Sequence, residues 1–197
     1  MKKNKISKNW INKQRRDTYV RQSKVDGYRA RSAYKLIEID EKFNIFESGM
    51  SVIDIGAAPG SWSQYASKKV KNGKLISIDL KEMEIIQNTI QVKGDFTQES
   101  IQNQIKQYLI KKPDVVISDM AVNTTGIKDL DSIQTGELCE EAMIFSRDIL
   151  NKDGKFVSKI FMGSTFNEIV AEAKIIFKDV RVFKPKSSRK DSKESFI

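Results

Sequence analysis

The stretch from Ser51 to Trp62, S-V-I-D-I-G-A-A-P-G-S-W, constrains the fold more than any other part of the chain. Apolar and small residues lead into Gly56, Pro59 and Gly60, so the pattern predicts a buried strand, a tight loop and then a helix. In open parallel sheets this crevice holds a nucleotide-like ligand, and glycines let the backbone approach it closely. The G-x-x-x-G spacing has too few glycines for a dinucleotide site and no P-loop lysine, which favours a ligand without a pyrophosphate.

Acidic residues mark the ends of four successive predicted strands. Asp79 closes K-L-I-S-I-D and lies 25 residues after Asp54, near the offset of about 20 residues at which a carboxylate binds ribose hydroxyls. Asp95 closes V-K-G-D-F, and Asp119 closes D-V-V-I-S-D-M. Each acid alone is equally well explained as a helix cap or a turn residue. Together they predict a polar site along one edge of the sheet.

Composition limits the class of protein and its chemistry. A chain of 197 residues with 39% hydrophobic and 31% charged residues is expected to form one globular domain, and no apolar run approaches the length of about 18 residues that spans a membrane. The single cysteine, Cys139, excludes an internal disulfide and a cysteine zinc cluster. Because the chain has no histidine, general-base chemistry is left to Lys, Asp, Glu or Tyr.

The positive charge is concentrated at the two ends of the chain. Residues 1–35 carry twelve Lys and Arg against two acids, and residues 178–197 carry seven against three. Basic ends around a mildly acidic body indicate binding of a polyanion, and interleaved aromatic residues favour nucleic acid over a merely solvated tail. We expect residues 1–30 to form a partly disordered basic arm and residues 31–197 the folded domain. The candidate residues for binding nucleic acid are Lys13, Arg15, Arg16, Arg29, Arg31, Lys186 and Arg189.

Strand and helix patterns alternate along the chain, which predicts an α/β fold with a mostly parallel sheet. Seven strands are expected, at Ser51–Ile55, Lys74–Asp79, Thr89–Lys93, from Pro113, Lys155–Phe161, Val180–Phe183 and Glu194–Ile197, the last antiparallel. Helices are expected near Asn9 and at Ser32–Phe43, Gly60–Val70, Lys81–Gln87, Gln98–Ile110, Ser132–Asn151 and Thr165–Phe177. A polar, glycine-containing loop is expected at residues 120–131.

Five motifs carry a resemblance to a known family. In order they are D-I-G-A-A-P-G-S-W-S-Q-Y, I-D-L, K-G-D-F, S-D-M-A and S-K-I-F-M-G. They resemble the FtsJ/RrmJ family of S-adenosylmethionine-dependent RNA ribose 2′-O-methyltransferases, from about Trp10 to the last residue. The resemblance implies a Rossmann-like fold with helices on both faces of the sheet, S-adenosylmethionine as cofactor, no metal, and a monomer that acts on RNA.

The resemblance also implies the residues that bind the cofactor. The glycine loop and Trp62 would surround its amino acid and ribose parts, Asp79 would bind the ribose hydroxyls, and Asp95 would bind the adenine amino group. The full implied set is Asp54, Gly56, Ala57, Ala58, Pro59, Gly60, Ser61, Trp62, Asp79, Leu80, Asp95, Phe96 and Asp119.

A catalytic tetrad follows from the same resemblance, at Lys35, Asp119, Lys159 and Glu194. Lys159 also stands out by itself, because it interrupts the apolar run F-V-S-K-I-F, and a buried lysine needs partners. It would either accept the proton of the ribose hydroxyl or hold that hydroxyl in position, with Asp119 orienting its amine. The sequence departs from the family pattern at Val122, where proline is usual, and in ending at Ile197.

Other functions make different demands on the sequence. Methylation of base amino groups commonly uses an N/D-P-P-aromatic loop where this chain has D-M-A-V, and cytosine C5 chemistry needs a cysteine nucleophile, whereas Cys139 lies in a predicted helix. A small-molecule methyltransferase would not need the basic arm. Large-subunit ribosomal RNA, most simply a uridine, is the expected substrate, with the tRNA anticodon loop and a non-catalytic ribosome-assembly role as alternatives. The cytoplasm is the expected compartment, although the acid-free first sixteen residues also suit mitochondrial targeting.

Overall fold

The computed structural model describes residues 16–121 and 128–197. Within these ranges the chain forms six helices and six strands. The helices are α1 (Thr18–Val25), α2 (Ala33–Phe43), α3 (Ser61–Lys69), α4 (Glu99–Gln107), α5 (Lys128–Ile149) and α6 (Phe166–Ile176). The strands are β1 (Ser51–Ile55), β2 (Lys74–Asp79), β3 (Thr89–Lys93), β4 (Val115–Ser118), β5 (Lys155–Phe161) and β6 (Glu194–Phe196).

The strands form one sheet in the order β3-β2-β1-β4-β5-β6, with all neighbours parallel except the antiparallel pair β5 and β6. The strand order reverses between β1 and β4. Ligands of open α/β sheets bind beyond the carboxyl ends of the strands at such a reversal. The fold therefore places its crevice after Ile55 and Ser118.

Both faces of the sheet are buried, as expected for parallel strands with near-continuous apolar sequences. All five residues of β1 are buried. One apolar cluster joins β1, β2, β4 and β5 to α2 and α3, through residues such as Val52 and Leu36. A second cluster, on the face of Ile53, packs against α4 and α5. The predicted α/β architecture with helices on both faces is confirmed.

The sheet has six strands within the described residues, so the expected count of seven is wrong. The segment Val180–Phe183 contributes only one bridge, between Phe183 and Phe196. Arg181 and Val182 are exposed, and Pro185 has no backbone N–H with which to continue a ladder. The outer edge is therefore held by a single pair of residues.

Two helix predictions also need correction. Lys81–Gln87 is not helical. The guanidinium of Arg29 donates hydrogen bonds to the backbone oxygens of Glu84 and Ile85, which in a helix would accept from the helix's own N–H groups. The helix expected from Ser132 starts earlier, at Lys128, and ends at Ile149. The helix expected near Asn9, Lys13, Arg15 and Val122 lie outside the described residues.

None of the described helices is long and apolar enough to cross a membrane. No group of three or more Cys, Asp or Glu side chains in residues 16–121 and 128–197 could hold a metal ion.

Candidate active site

Four elements bring the predicted tetrad together at the carboxyl edge of the sheet. Lys35 lies in the first turn of α2, and Asp119 directly follows β4. Ser118 is paired in register with Ser158, which brings Asp119 beside Lys159. In the antiparallel pair Lys159 lies opposite Phe196, and Glu194 lies opposite Phe161, so Lys159 and Glu194 point to the same face of the sheet.

The four side chains form a continuous chain of ion pairs. The ammonium of Lys159 donates to the backbone oxygen of Asp119 at 2.8 Å and to its carboxylate oxygen Oδ1 at 3.1 Å. The second oxygen of Asp119 lies 3.8 Å from the Nζ of Lys35, and that Nζ donates to Glu194 Oε2 at 2.6 Å. The side chain of Lys159 is 5% exposed. A lysine so deeply buried is tolerated because Asp119 supplies an opposite charge and two acceptors.

The electrostatics of the network favour its charged form. Burial alone would raise the pKa of Asp119, but the ammonium groups of Lys159 and Lys35 outweigh it and hold the pKa below its usual value. Burial would lower the pKa of Lys35, but the carboxylates of Asp119 and Glu194 raise it above its usual value. At neutral pH the carboxylate of Asp119 is thus ionised and Lys35 is protonated.

Glu194 is held by a second partner that the sequence did not single out. The hydroxyl of Ser188 donates to Glu194 Oε1 at 2.8 Å, while Oε2 accepts from Lys35. The turn that carries Ser188 is fixed by α2, because Glu38 accepts the backbone N–H groups of Lys186 at 2.5 Å and Ser187 at 2.8 Å. Helix α2 therefore positions both Lys35 and its acidic partner.

An aromatic pair, Trp62 and Phe196, packs against the lysine end of the tetrad. The ring of Phe196 packs against Trp62 with centroids 5.6 Å apart and lies 5.7 Å from the Nζ of Lys35. Trp62 is 2% exposed, and its indole N–H donates to the backbone oxygen of Ser32 at 2.8 Å. The indole of Trp62 thus packs between α2 and α3 and has a structural role. The backbone of Trp62, rather than its ring, could contact a ligand.

The loop from Gly56 to Gly60 lies over the end of β2. Gly56 and Ala57 both donate to the backbone oxygen of Ile78, at 2.8 and 3.0 Å. Asp79 accepts the N–H of Ala58 at 2.9 Å and that of Lys81 at 2.8 Å. Asp79 therefore holds the glycine loop against the end of its own strand.

Two glycines of this loop are required by the protein's own packing. Gly56 and Gly60 have backbone φ angles of +75° and +104°, which residues with a side chain rarely adopt. A Cβ on Gly56 would lie 2.6 Å from Met120, and one on Gly60 would lie 2.6 Å from the guanidinium of Arg29. Close approach of neighbouring side chains is thus one reason for these glycines, besides the approach of a ligand.

Beneath the loop, Asp54 is a fully buried acid with incomplete hydrogen bonding. Its Oδ2 accepts the hydroxyl of Ser63 at 2.5 Å, and Ser63 is 2.6 Å from the hydroxyl of Ser77. Its Oδ1 is buried and has no hydrogen-bond partner in the described part of the chain. Burial raises the pKa of Asp54 to about 7, against the opposing effect of Ser63, and the charges of Asp119 and Asp79 add to the rise.

The other predicted cofactor residues lie further along the same edge. Asp95 accepts the N–H and the hydroxyl of Thr97, at 3.0 and 2.8 Å. Phe96 is buried in the core against Phe145, with centroids 5.0 Å apart, so its side chain does not line the crevice. Leu80 is 65% exposed beside Asp79, where a flat ligand could cover it.

Comparison with known proteins identifies the family of this chain. Residues 28–197 match the sequence model of the FtsJ-like methyltransferase family. The chain belongs to this family. It is therefore a methyltransferase, as the motifs of the glycine loop and the tetrad predict.

Relatives of this FtsJ-like methyltransferase match along most of their length. Ribosomal RNA large subunit methyltransferase E of Pelagibacter ubique is 73% identical over 197 residues, which is 100% of this chain and 97% of the relative. The protein of the same name from Rickettsia akari is 46% identical, over 97% of this chain and 87% of its own. The crystal structure of a ribosomal RNA methyltransferase from Plasmodium falciparum superposes with a TM-score of 0.76 at 33% identity, covering 86% of this chain and 95% of the other.

Four of the predicted RNA-binding residues of this FtsJ-like methyltransferase border one cleft. Arg16 and Lys186 are exposed, while Arg31 and Arg189 are partly buried beside them. Arg29 is different, because its guanidinium donates to the backbone oxygens of Pro59 at 3.1 Å and of Glu84 at 3.0 Å. Arg29 thus ties the glycine loop to the segment after β2 and has little capacity left for RNA.

Sequence reasoning missed several hydroxyl groups of the site. Ser63, Ser77 and Ser188 each hydrogen-bond a predicted site acid or its partner, and the hydroxyl of Ser32 lies 2.7 Å from that of Ser61. Serine is common in loops and at helix starts, so only its position in a motif could have indicated a role. Ser63 in G-S-W-S and Ser188 in K-S-S-R offered that signal.

Proposed function

We propose that this FtsJ-like methyltransferase transfers a methyl group from S-adenosylmethionine to a ribose 2′-hydroxyl of large-subunit ribosomal RNA, most simply of a uridine. The observation that carries the proposal is the ion-pair network of Lys35, Asp119, Lys159 and Glu194 beside a glycine loop. The names of the relatives from Pelagibacter and Rickettsia support ribosomal RNA as the substrate. Since these relatives are bacterial, we propose the cytoplasm as the compartment.

The residues present fit the proposed cofactor. S-adenosylmethionine supplies an electrophilic methyl group on a positively charged sulfur. The unpartnered Oδ1 of Asp54 offers a buried acceptor beneath the loop. Gly60, the N-cap of α3, provides no side-chain cap, which leaves the N–H groups of Ser61 and Trp62 for a carboxylate. Asp79 would accept from ribose hydroxyls and Asp95 from an adenine amino group. Leu80 would cover the flat base.

On the acceptor side, the tetrad would align the hydroxyl. The Nζ of Lys159 donates two hydrogen bonds to Asp119, and its remaining position can face the ribose oxygen. The hydroxyl proton becomes acidic as its oxygen gains a methyl group, so the nearby carboxylate of Asp119 is basic enough to receive it. Lys159 thus acts mainly by holding the oxygen in line, and alignment of this kind accounts for much of the rate gain in group transfer. Lys35 and Glu194 would fix the carboxylate of Asp119 and the ribose.

The test is transfer of radiolabelled methyl from S-adenosylmethionine to large-subunit particles, free ribosomal RNA and tRNA. Wild type is expected to label ribosomal RNA in a dinucleotide that resists alkali, as a 2′-O-methyl group requires. Lys159→Ala should lower the rate by about 10²- to 10⁴-fold, because the oxygen loses its anchor and Asp119 its counter-charge. Lys155→Ala, at the other end of β5, is the matched control and should keep wild-type activity.

Three other outcomes would contradict the proposal. Label in tRNA alone would assign the anticodon loop as the substrate. Label that is lost in alkali would exclude ribose methylation. Tight binding of S-adenosylmethionine with no transfer to any RNA would favour a non-catalytic role in ribosome assembly.

A further inference from the structure

A basic cleft separates the start of α1 from the turn after Pro185. Its volume is about 710 Å³, and its walls carry the cationic side chains of Arg16, Arg31, Lys186, Arg189 and Lys190. We call it the α1 cleft. Two acids, Asp17 and Asp191, also line the cleft, and Asp17 pairs with two of these cations.

Asp17 lies where the arginines of the cleft converge. Its Oδ2 is 2.8 Å from Arg31 Nη1 and 3.8 Å from Arg189 Nε. Its Oδ1 accepts the backbone N–H groups of Tyr19 at 3.1 Å and Val20 at 3.4 Å, so Asp17 is also the N-cap of α1. The carboxylate therefore connects the start of α1 to the cationic cleft.

The cleft holds more donors than the carboxylate of Asp17 satisfies. Among the residues that the structure describes, the Nε atoms of Arg31 and Arg189 and the hydroxyl of Ser187 are buried and have no hydrogen-bond partner. Unpaired buried donors are rare and unfavourable, and three in one cleft indicate a missing acceptor. A phosphodiester has the same single negative charge as Asp17 and a tetrahedral set of oxygens, so it could reach more of these donors.

The α1 cleft shares a wall with the tetrad. Arg31 lies one helical turn before Lys35, and Ser188, next to Ser187, donates to Glu194. A phosphate in the cleft would thus be adjacent to the ribose that reaches Lys159. Arg31 also donates to the backbone oxygen of Ser187, which connects the two walls.

We propose that Asp17 holds the place of an RNA phosphodiester, and that the phosphate of a bound RNA displaces its carboxylate. The proposal rests on RNA being the substrate. Exchange of one anion for another leaves the charge of the cleft unchanged, so Arg31 and Arg189 are never left without a counter-ion. The same exchange removes the N-cap of α1, and the start of this helix loosens when RNA binds.

Asp17→Asn tests the exchange, because asparagine is as good an N-cap as aspartate but carries no charge. Affinity is measured with a short single-stranded ribosomal RNA fragment by fluorescence anisotropy across a salt series. Asp17→Asn should bind about three- to tenfold more tightly than wild type at low salt, with a difference that shrinks as salt rises. Asp26→Asn, which removes the same charge at the other end of α1, is the control and should change affinity less.

Hydrogen exchange of residues 18–25 supplies a second readout. In wild type the amides of Tyr19 and Val20 should exchange faster when the RNA fragment is added, whereas ordinary burial under RNA would slow them. Inorganic phosphate alone should produce the same change if a free phosphate is sufficient, and no change if the site requires a phosphodiester within RNA.

The proposal is overturned if Asp17→Asn binds RNA no more tightly than Asp26→Asn, or if RNA slows exchange at the start of α1. Both results are independent of methyl transfer. Wild-type protein that binds RNA but methylates none would contradict the proposed function and leave the exchange of Asp17 intact.

Discussion

At the scale of single residues, the protonation of Asp54, beneath the glycine loop, makes the stability of the protein depend on pH. The pKa of Asp54 is raised to about 7, so the native protein keeps a proton that the unfolded chain loses near pH 4. The stabilisation that this proton contributes is therefore complete below about pH 4. It decreases as pH rises towards 7, which lowers the free energy of unfolding by about 3–4 kcal/mol. The chain has no histidine, so few other side chains titrate in the upper part of this range.

The Asp54→Asn variant should lose this dependence. We expect its free energy of unfolding, measured with urea between pH 5 and 8, to vary less with pH than that of wild type, because asparagine does not titrate. Asp148→Asn, on the surface of α5, should keep the wild-type slope. A slope in Asp54→Asn equal to that of wild type would show that Asp54 is ionised in the native protein throughout.

Ser188 is a positioning residue for Glu194. Ser188→Ala leaves Glu194 Oε1 without its donor, and a hydrogen bond to a charged group contributes about 1.5–3 kcal/mol. We expect kcat to fall about tenfold, while the dissociation constant for S-adenosylmethionine stays the same, because Glu194 is not among the residues proposed to bind the cofactor. Ser67→Ala, on α3, is the control. Equal kcat values for Ser188→Ala and wild type would contradict a role for this hydroxyl.

At the scale of elements, the short strand β6 is held by packing as well as by its ladder. Phe196 is 2% exposed and packs between Trp62 and Lys35. Phe196→Ala should lower the free energy of unfolding by about 3–5 kcal/mol and lower kcat as well, since Glu194 and Lys35 lose their common support. Denaturant unfolding and single-turnover transfer measure the two effects.

Phe46→Ala separates the two effects of Phe196→Ala. Phe46 is also buried, and its ring packs on Tyr65, which is not a tetrad residue. It should lose comparable stability and, at a temperature where both variants are folded, retain kcat. A similar loss of kcat in both variants would mean that stability alone explains the effect.

At the scale of the whole molecule, cationic side chains from two distant parts of the sequence, residues 16–31 and 186–190, converge on one surface. The α1 cleft joins residues of α1 with residues 186–190, far apart in the chain. Binding of RNA should therefore weaken with salt, and binding of S-adenosylmethionine should not. Lys190→Gln should reduce the slope of log affinity against log salt by about 1, because one phosphate contact is lost. Lys152→Gln, in the turn before β5, should leave the slope unchanged, and equal slopes for both variants would contradict the assignment of this surface.

The sequence by itself determined the parts of this protein that depend on local pattern. Alternating apolar segments predicted the sheet and both covered faces, and the glycine loop with its strand-end acids predicted the edge that carries the site. The five motifs that run from the glycine loop to S-K-I-F-M-G predicted the family, and the resemblance implied the tetrad of Lys35, Asp119, Lys159 and Glu194. Such features are readable because burial and turn geometry restrict residue types over a few neighbouring positions.

Only the tertiary structure decided which side chains are partners. Lys35 and Glu194 are separated by 159 positions, and no periodicity indicates that Ser188 completes this pair. In the folded chain the indole of Trp62 is buried in the core, and Arg29 donates a hydrogen bond to the glycine loop. The expected strand at Val180–Phe183 forms only one bridge. These outcomes depend on how distant elements fit together, because hydrogen bonds and apolar contacts are satisfied by the whole fold.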